Sequence, residues 1–124
     1  MVKVKAICRK PDAAEVIAGP SSFTVERKDA EGRQNPCPWE LLAASLASCV
    51  ALTVAAVAAH KGINLSPFEV EVEMENFERG GRISITLRIK DELTEREKKI
   101  LSNSAKYCEV SKFLEGPVEF KWIT

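Results

Sequence analysis

Histidine occurs only once in the chain, at His60, and the four cysteines, Cys8, Cys37, Cys49 and Cys108, form no CxxC pair. That scarcity argues against a zinc centre, which draws four ligands from closely spaced Cys and His. An excess of either charge is also missing, because 18 basic and 18 acidic residues give net zero with both signs scattered. Nothing there marks a nucleic-acid or anionic membrane partner. No apolar run follows Lys3 and Lys5, so the start of the chain does not read as a secretory signal, and the expected compartment is the reducing cytoplasm. In that compartment an even cysteine count is no sign of a structural disulfide framework. Repeats and low-complexity tracts are absent. The 124 residues suit one domain, residues 1–124, long enough to bury roughly two-thirds of its unfolded surface without staples.

What the chain does have is a 19-residue stretch without charge, Leu41 to Ala59. About 20 apolar residues can cross a bilayer as a helix. This stretch, however, is mostly alanine with Ser45, Ser48 and Thr53, poor in the bulky side chains that drive insertion. A helix apolar all round is one buried on several sides, and small side chains suit a central helix pressed between a sheet and another helix. Pro38 fits the first turn, while His60, Lys61 and Gly62 supply cations and a stop at the other end, so the spacing predicts a helix from Pro38 to Lys61.

On either side of that helix the period changes to two. Val2, Val4, Ala6 and Cys8 predict a strand ending at a Pro11-Asp12 turn, followed by strands over Glu15 to Ala18 and Ser22 to Arg27 and a polar loop from Lys28 to Asn35. Phe68, Val70, Val72 and Met74 alternate with Glu69, Glu71, Glu73 and Glu75, and Ile83, Ile85, Leu87 and Ile89 continue the pattern. A two-residue Gly80-Gly81 turn pairs Val72 with Ile89 and Met74 with Leu87, setting Glu73 against Arg88 and Glu71 against Lys90 on the wet face. The glutamate row is a solvated strand face and is assigned no chemistry. Thr94-Glu95-Arg96-Glu97 is a capping box opening a helix to about Tyr107 or Cys108, and Val118 to Ile123 predicts a last strand with Val118, Phe120 and Trp122 inward. The fold class is α+β, a long helix packed on antiparallel sheet.

Chemistry centres on the thiols. Cys49, mid-helix among alanines, has no helix N-terminus to lower its pKa. It is either a small buried hydrophobe or a nucleophile served by a cation from elsewhere in the fold. Cys8 and Cys37 read as packing residues, Tyr107 as core, Lys112 as a surface lysine or a second cation, and His60 as a dipole partner too far along the helix to serve Cys49.

Pro36-Cys37-Pro38-Trp39-Glu40-Leu41-Leu42-Ala43-Ala44-Ser45-Leu46-Ala47-Ser48-Cys49, with the distant Tyr107-Cys108-Glu109-Val110-Ser111-Lys112, resembles the OsmC/Ohr family of organic hydroperoxide reductases. The resemblance spans essentially the whole chain. It implies an intertwined homodimer, an organic hydroperoxide substrate, an external dithiol reductant and no cofactor. It also implies that Cys49 attacks the peroxide, that Cys108 resolves the sulfenic acid, and that an arginine held by a glutamate stabilises the thiolate. Arg27 is the first candidate for that arginine and Arg33 the second. The glutamate departs from the pattern: the family position ten residues before the attacking cysteine is Trp39 here, and Glu40 follows it. Nine residues is about 14 Å along a helix and half a revolution around it, so Glu40 reaches a Cys49 only on a partner's helix, or else simply complements the dipole of its own. A ligand-binding or redox-sensing member of the same fold is the alternative to a peroxidase.

Overall fold

The structure is a computed structural model and describes residues 1–123. The chain forms two compact units, Met1–Leu42 and Ala43–Thr124.

The first unit is an antiparallel meander of β1 (Val4–Lys10), β2 (Ala13–Ala18) and β3 (Ser21–Glu26) in the order β1-β2-β3. Two-residue turns at Pro11-Asp12 and Gly19-Pro20 join strands paired Lys10 to Ala13 and Ala18 to Ser21. Gly19 has φ 57°, a conformation that favours glycine in so tight a turn. A register shift between Cys8 and Lys10 bulges β1. Cys8 is exposed rather than packed, its Sγ donating to the Lys10 carbonyl at 3.0 Å, because the bulge leaves it on an uncovered strand. The loop after β3 is closed by the Glu26 N–H donating to the Pro36 carbonyl at 3.0 Å, just before α1 begins.

Helix α1 (Pro38–His60) ends in a Schellman motif: Ile63 N–H donates to the Ala58 carbonyl at 2.8 Å and Gly62 N–H to the Ala59 carbonyl at 3.3 Å, with Gly62 at φ 70°. Its residues Leu46, Val50, Val54 and Ala58, spaced by four, are buried. In the second unit Val50, Val54 and Ala58 form the core with Ile63, Leu101 and Cys108, flanked by Phe68, Val70, Leu87 and Ile89. Each such aliphatic side chain contributes about 1.5–3 kcal/mol when fully buried. The expectation of a helix covered on several sides is corrected, since the opposite face is open and Leu52 is 70% exposed. By length and composition α1 would also suffice to cross a membrane, but its buried face packs into the domain core.

Strands β4 (Glu69–Asn76) and β5 (Gly81–Arg88) make the expected hairpin in a different register: Val72 faces Ile85, Met74 faces Ile83 and Glu69 faces Arg88. Only Gly80 serves the turn, at φ 78°, while Gly81 already pairs with Asn76, so the loop has four residues, Phe77 to Gly80. Gly81 has its own reason to lack a side chain, because a Cβ there would meet the Glu75 carbonyl oxygen at 2.4 Å. The wet-face charges adjust accordingly, Arg88 pairing diagonally with Glu71 at 3.1 Å and Arg82 with the opposite Glu75 at 3.4 Å.

Helix α2 (Glu95–Ala105) opens on the Thr94 capping box with both reciprocal hydrogen bonds made, Thr94 N–H to Glu97 at 2.9 Å and Glu97 N–H to Thr94 Oγ1 at 3.1 Å. A short helix α3 (Glu109–Glu115) follows, which sequence periodicity missed because it spans only two turns. Among the described residues Val118 to Ile123 form no strand and do not point inward, with Phe120 75% and Trp122 87% exposed and their rings stacked on each other at 6.2 Å. Alternation creates a strand only where an edge receives it, and this segment pairs with neither β4 nor β5.

Candidate functional site

Cys108 is wholly buried where α2 gives way to α3. Two tight turns, Lys106 N–H to the Asn103 carbonyl at 3.1 Å and Tyr107 N–H to the Ser104 carbonyl at 2.9 Å, end α2 and leave Cys108 as the N-cap of α3. Cys49, half-buried on α1, packs against the same core, and its thiol acts electrostatically on Cys108. Burial pushes the Cys108 thiol up, but the Cys49 thiol, the Ser111 N–H and hydroxyl and the Val110 N–H outweigh it and hold Cys108 below the ordinary thiol range. Both thiols are free. Two free thiols packed on one core are a pair that a peroxide could convert to a disulfide.

A second constellation lies at the start of α1. Arg33 and Glu40 form a two-pronged pair, Nη1 on Oε1 and Nη2 on Oε2 at 3.2 Å. Glu40 Oε1 also accepts the Cys37 N–H at 3.0 Å, so the glutamate closes the first turn of α1 from its third position. The Arg33 guanidinium first, and the Cys37 N–H second, hold the Glu40 carboxyl down to about 2. Arg27 lies elsewhere: its Nε pairs with Asp29 at 3.3 Å in solvent, so the structure does not bring it to Glu40. Buried Cys37 sits inside the Arg33–Glu40 turn.

Two adjoining grooves of about 310 and 270 Å³ lie between β5 and the α2–α3 segment. Ile83, Ile85, Leu87 and Leu114 line them, and both reach Ser111, whose hydroxyl donates to the Cys108 carbonyl at 3.0 Å. Sequence reasoning passed over Ser111, although its place three residues after an N-cap cysteine puts it in the first turn of a helix. Tyr107 is exposed, not core, with the Lys112 ammonium 4.5 Å above its ring. Among the described residues no group of three His, Cys, Asp or Glu could hold a metal ion.

Residues 29–123, which carry Cys49, Cys108 and the Arg33–Glu40 pair, match the family model for OsmC-like protein. The chain belongs to the OsmC-like family. Its fold is that of solved OsmC-like structures. The OsmC-like protein from Mycoplasma pneumoniae superposes with a TM-score of 0.81 at 19% identity, covering 94% of this chain and 88% of that one. An organic hydroperoxide resistance protein OsmC from Legionella pneumophila gives 0.66 at 18% identity over 94% and 90%. An OsmC-like protein of unknown function from Vibrio cholerae gives 0.67 at 13% identity over 93% and 94%. No curated protein matches this OsmC-like chain significantly in sequence.

Proposed function

We propose that this OsmC-like protein reduces organic hydroperoxides with its Cys49–Cys108 pair and so protects the cell against oxidative stress. The observation that carries the reading is the packing of both cysteines on one core, where the Cys49 thiol helps to lower the Cys108 pKa. Cys49, the more accessible sulfur, attacks the O–O bond as thiolate; it becomes the sulfenic acid, and the alkoxide leaves and takes a proton to give the alcohol. The Cys108 sulfur then displaces the hydroxyl of the sulfenic acid, forming the disulfide and releasing water. An external dithiol reduces that disulfide and is itself oxidised. The cycle asks for no cofactor. The apolar grooves beside Ser111 suit the alkyl part of the substrate.

Arg33 is the better candidate for the cation, because it already holds Glu40 whereas Arg27 is engaged by Asp29 in solvent. Since Glu40 cannot reach Cys49 of its own helix, the working unit in this reading is a homodimer in the cytoplasm, each chain one OsmC-like domain. A second copy would cover Leu52 and the exposed apolar segment ending at Ile123.

The competing reading, a non-catalytic binder or a redox sensor, is favoured by Trp39 standing where the resemblance expects glutamate. Adding one equivalent of an alkyl hydroperoxide to the reduced protein and mapping its cysteines by mass, then supplying excess hydroperoxide together with dithiol, decides among them. A Cys49–Cys108 disulfide formed with repeated turnover under dithiol supports the peroxidase. An unchanged thiol count supports the binder, and oxidation without turnover supports the sensor.

A further inference from the structure

β3 ends at Glu26, and its carboxylate is turned onto the loop that carries Arg33. One oxygen, Oε2, accepts the N–H groups of Gln34 and of Asn35, each at 2.9 Å, while the Glu26 N–H donates to the Pro36 carbonyl at 3.0 Å. Two successive amides converging on one anion form a nest that fixes the backbone at residues 34 and 35. Arg33 immediately precedes that nest, and its Nη1 also donates to the Asn35 carbonyl at 3.2 Å. The guanidinium is therefore held at two points, by Glu40 on α1 and by a carbonyl whose position Glu26 sets. The Asn35 N–H first, and the Gln34 N–H second, keep the Glu26 carboxyl below its usual range.

We propose that Glu26 is a positioning residue: by clamping residues 34–36 it fixes the orientation of the Arg33–Glu40 pair and so the charge presented to the reactive thiol. A loop without the clamp would have to order Arg33 at the moment of reaction. The inference rests on the reading that Arg33 serves the Cys49 thiolate, and the experiment separates the two.

The test is the rate of iodoacetamide labelling at Cys49 in the reduced full-length protein, followed by peptide mass across pH, for wild type, Glu26→Ala, Glu26→Gln and Arg33→Lys. Thermal unfolding and amide exchange at Gln34 and Asn35 are measured alongside. Glu26→Ala is expected to move the labelling midpoint upward, in the direction of Arg33→Lys, with labelling below the midpoint slowed about tenfold for each pH unit the midpoint rises. Glu26→Gln keeps an acceptor oxygen and should give an intermediate midpoint. Exchange at both amides should quicken in Glu26→Ala. If Arg33→Lys moves the midpoint and Glu26→Ala does not, the positioning role is overturned while the Arg33 reading stands. If neither moves it, the Arg33 reading fails and takes the positioning role with it, whatever the amides do. A lowered unfolding temperature with an unmoved midpoint marks Glu26 as a loop staple only, which also overturns the proposal.

Discussion

Arg33 grips Glu40 with both ends of its guanidinium while the same carboxylate accepts the Cys37 N–H at the start of α1, so one ion pair ties a polar loop to a helix terminus. The pairing has a sign in pH. Glu40 is depressed from 4.5 to about 2, so its stabilising contribution is complete above about 4.5 and fades as pH falls toward 2. Glu26 is shifted in the same direction and adds to the acid sensitivity. Urea midpoints taken across that window should fall with pH in the wild type. The fall should be shallower in Glu40→Gln, and an equal slope in both would show the pair to be energetically idle.

Replacing either thiol should separate the two steps. Cys49→Ser is expected to lower hydroperoxide consumption by orders of magnitude, as removal of a nucleophile does. Cys108→Ser should permit a single turnover and then stall, because a sulfenic acid without a resolving thiol proceeds to sulfinic acid under excess peroxide. Intact-mass measurement after one and after many equivalents distinguishes them. Loss of two thiols per hydroperoxide in Cys108→Ser, with no sulfinic acid at Cys49, would show that Cys108 is not the resolving residue.

The core that holds the thiols together is also testable. Leu101 is 1% exposed and shares a cluster with Val50, Val54 and Cys108. Leu101→Ala should cost about 2–5 kcal/mol in chemical denaturation and slow disulfide formation, because the wall behind Cys108 is lost. Thr94→Ala, which removes half of a capping box on the outer side of the same helix, should cost about 1 kcal/mol and leave disulfide formation unaffected.

Leu52 distinguishes one chain from two. At 70% exposure in the single chain, Leu52→Glu should change monomer stability by less than about 0.5 kcal/mol. If a second copy covers the open face of α1, the same substitution converts a dimer into a monomer in sedimentation velocity. A wild-type protein sedimenting as a monomer would remove the partner-borne role of Glu40.

Element by element, local chemistry was legible and register was not. The Thr94 box, the Pro38 start and the Gly62 stop each depend on hydrogen bonds among a handful of neighbouring residues, and each formed as read. The apolar and acidic faces of the hairpin followed from alternation. Its pairing did not, because two adjacent glycines can each be the turn, and the choice fell to Gly80 when Gly81 was needed against the Glu75 carbonyl. Val118 to Ile123 carries the alternation of a strand, but pairing needs an edge, and none among the described residues receives it.

Short windows of sequence were enough for the long helix, the three-stranded meander, the faces of the hairpin and the family, since periodicity, caps and motif spacing are written within them. The meeting of Cys108 with Cys49 at the head of an unanticipated helix, and the choice of Arg33 rather than Arg27 to hold Glu40, came from the folded chain. Those contacts join residues distant along the chain or choose between equivalent cations. Only packing and backbone direction, not local propensity, tell one such partner from another.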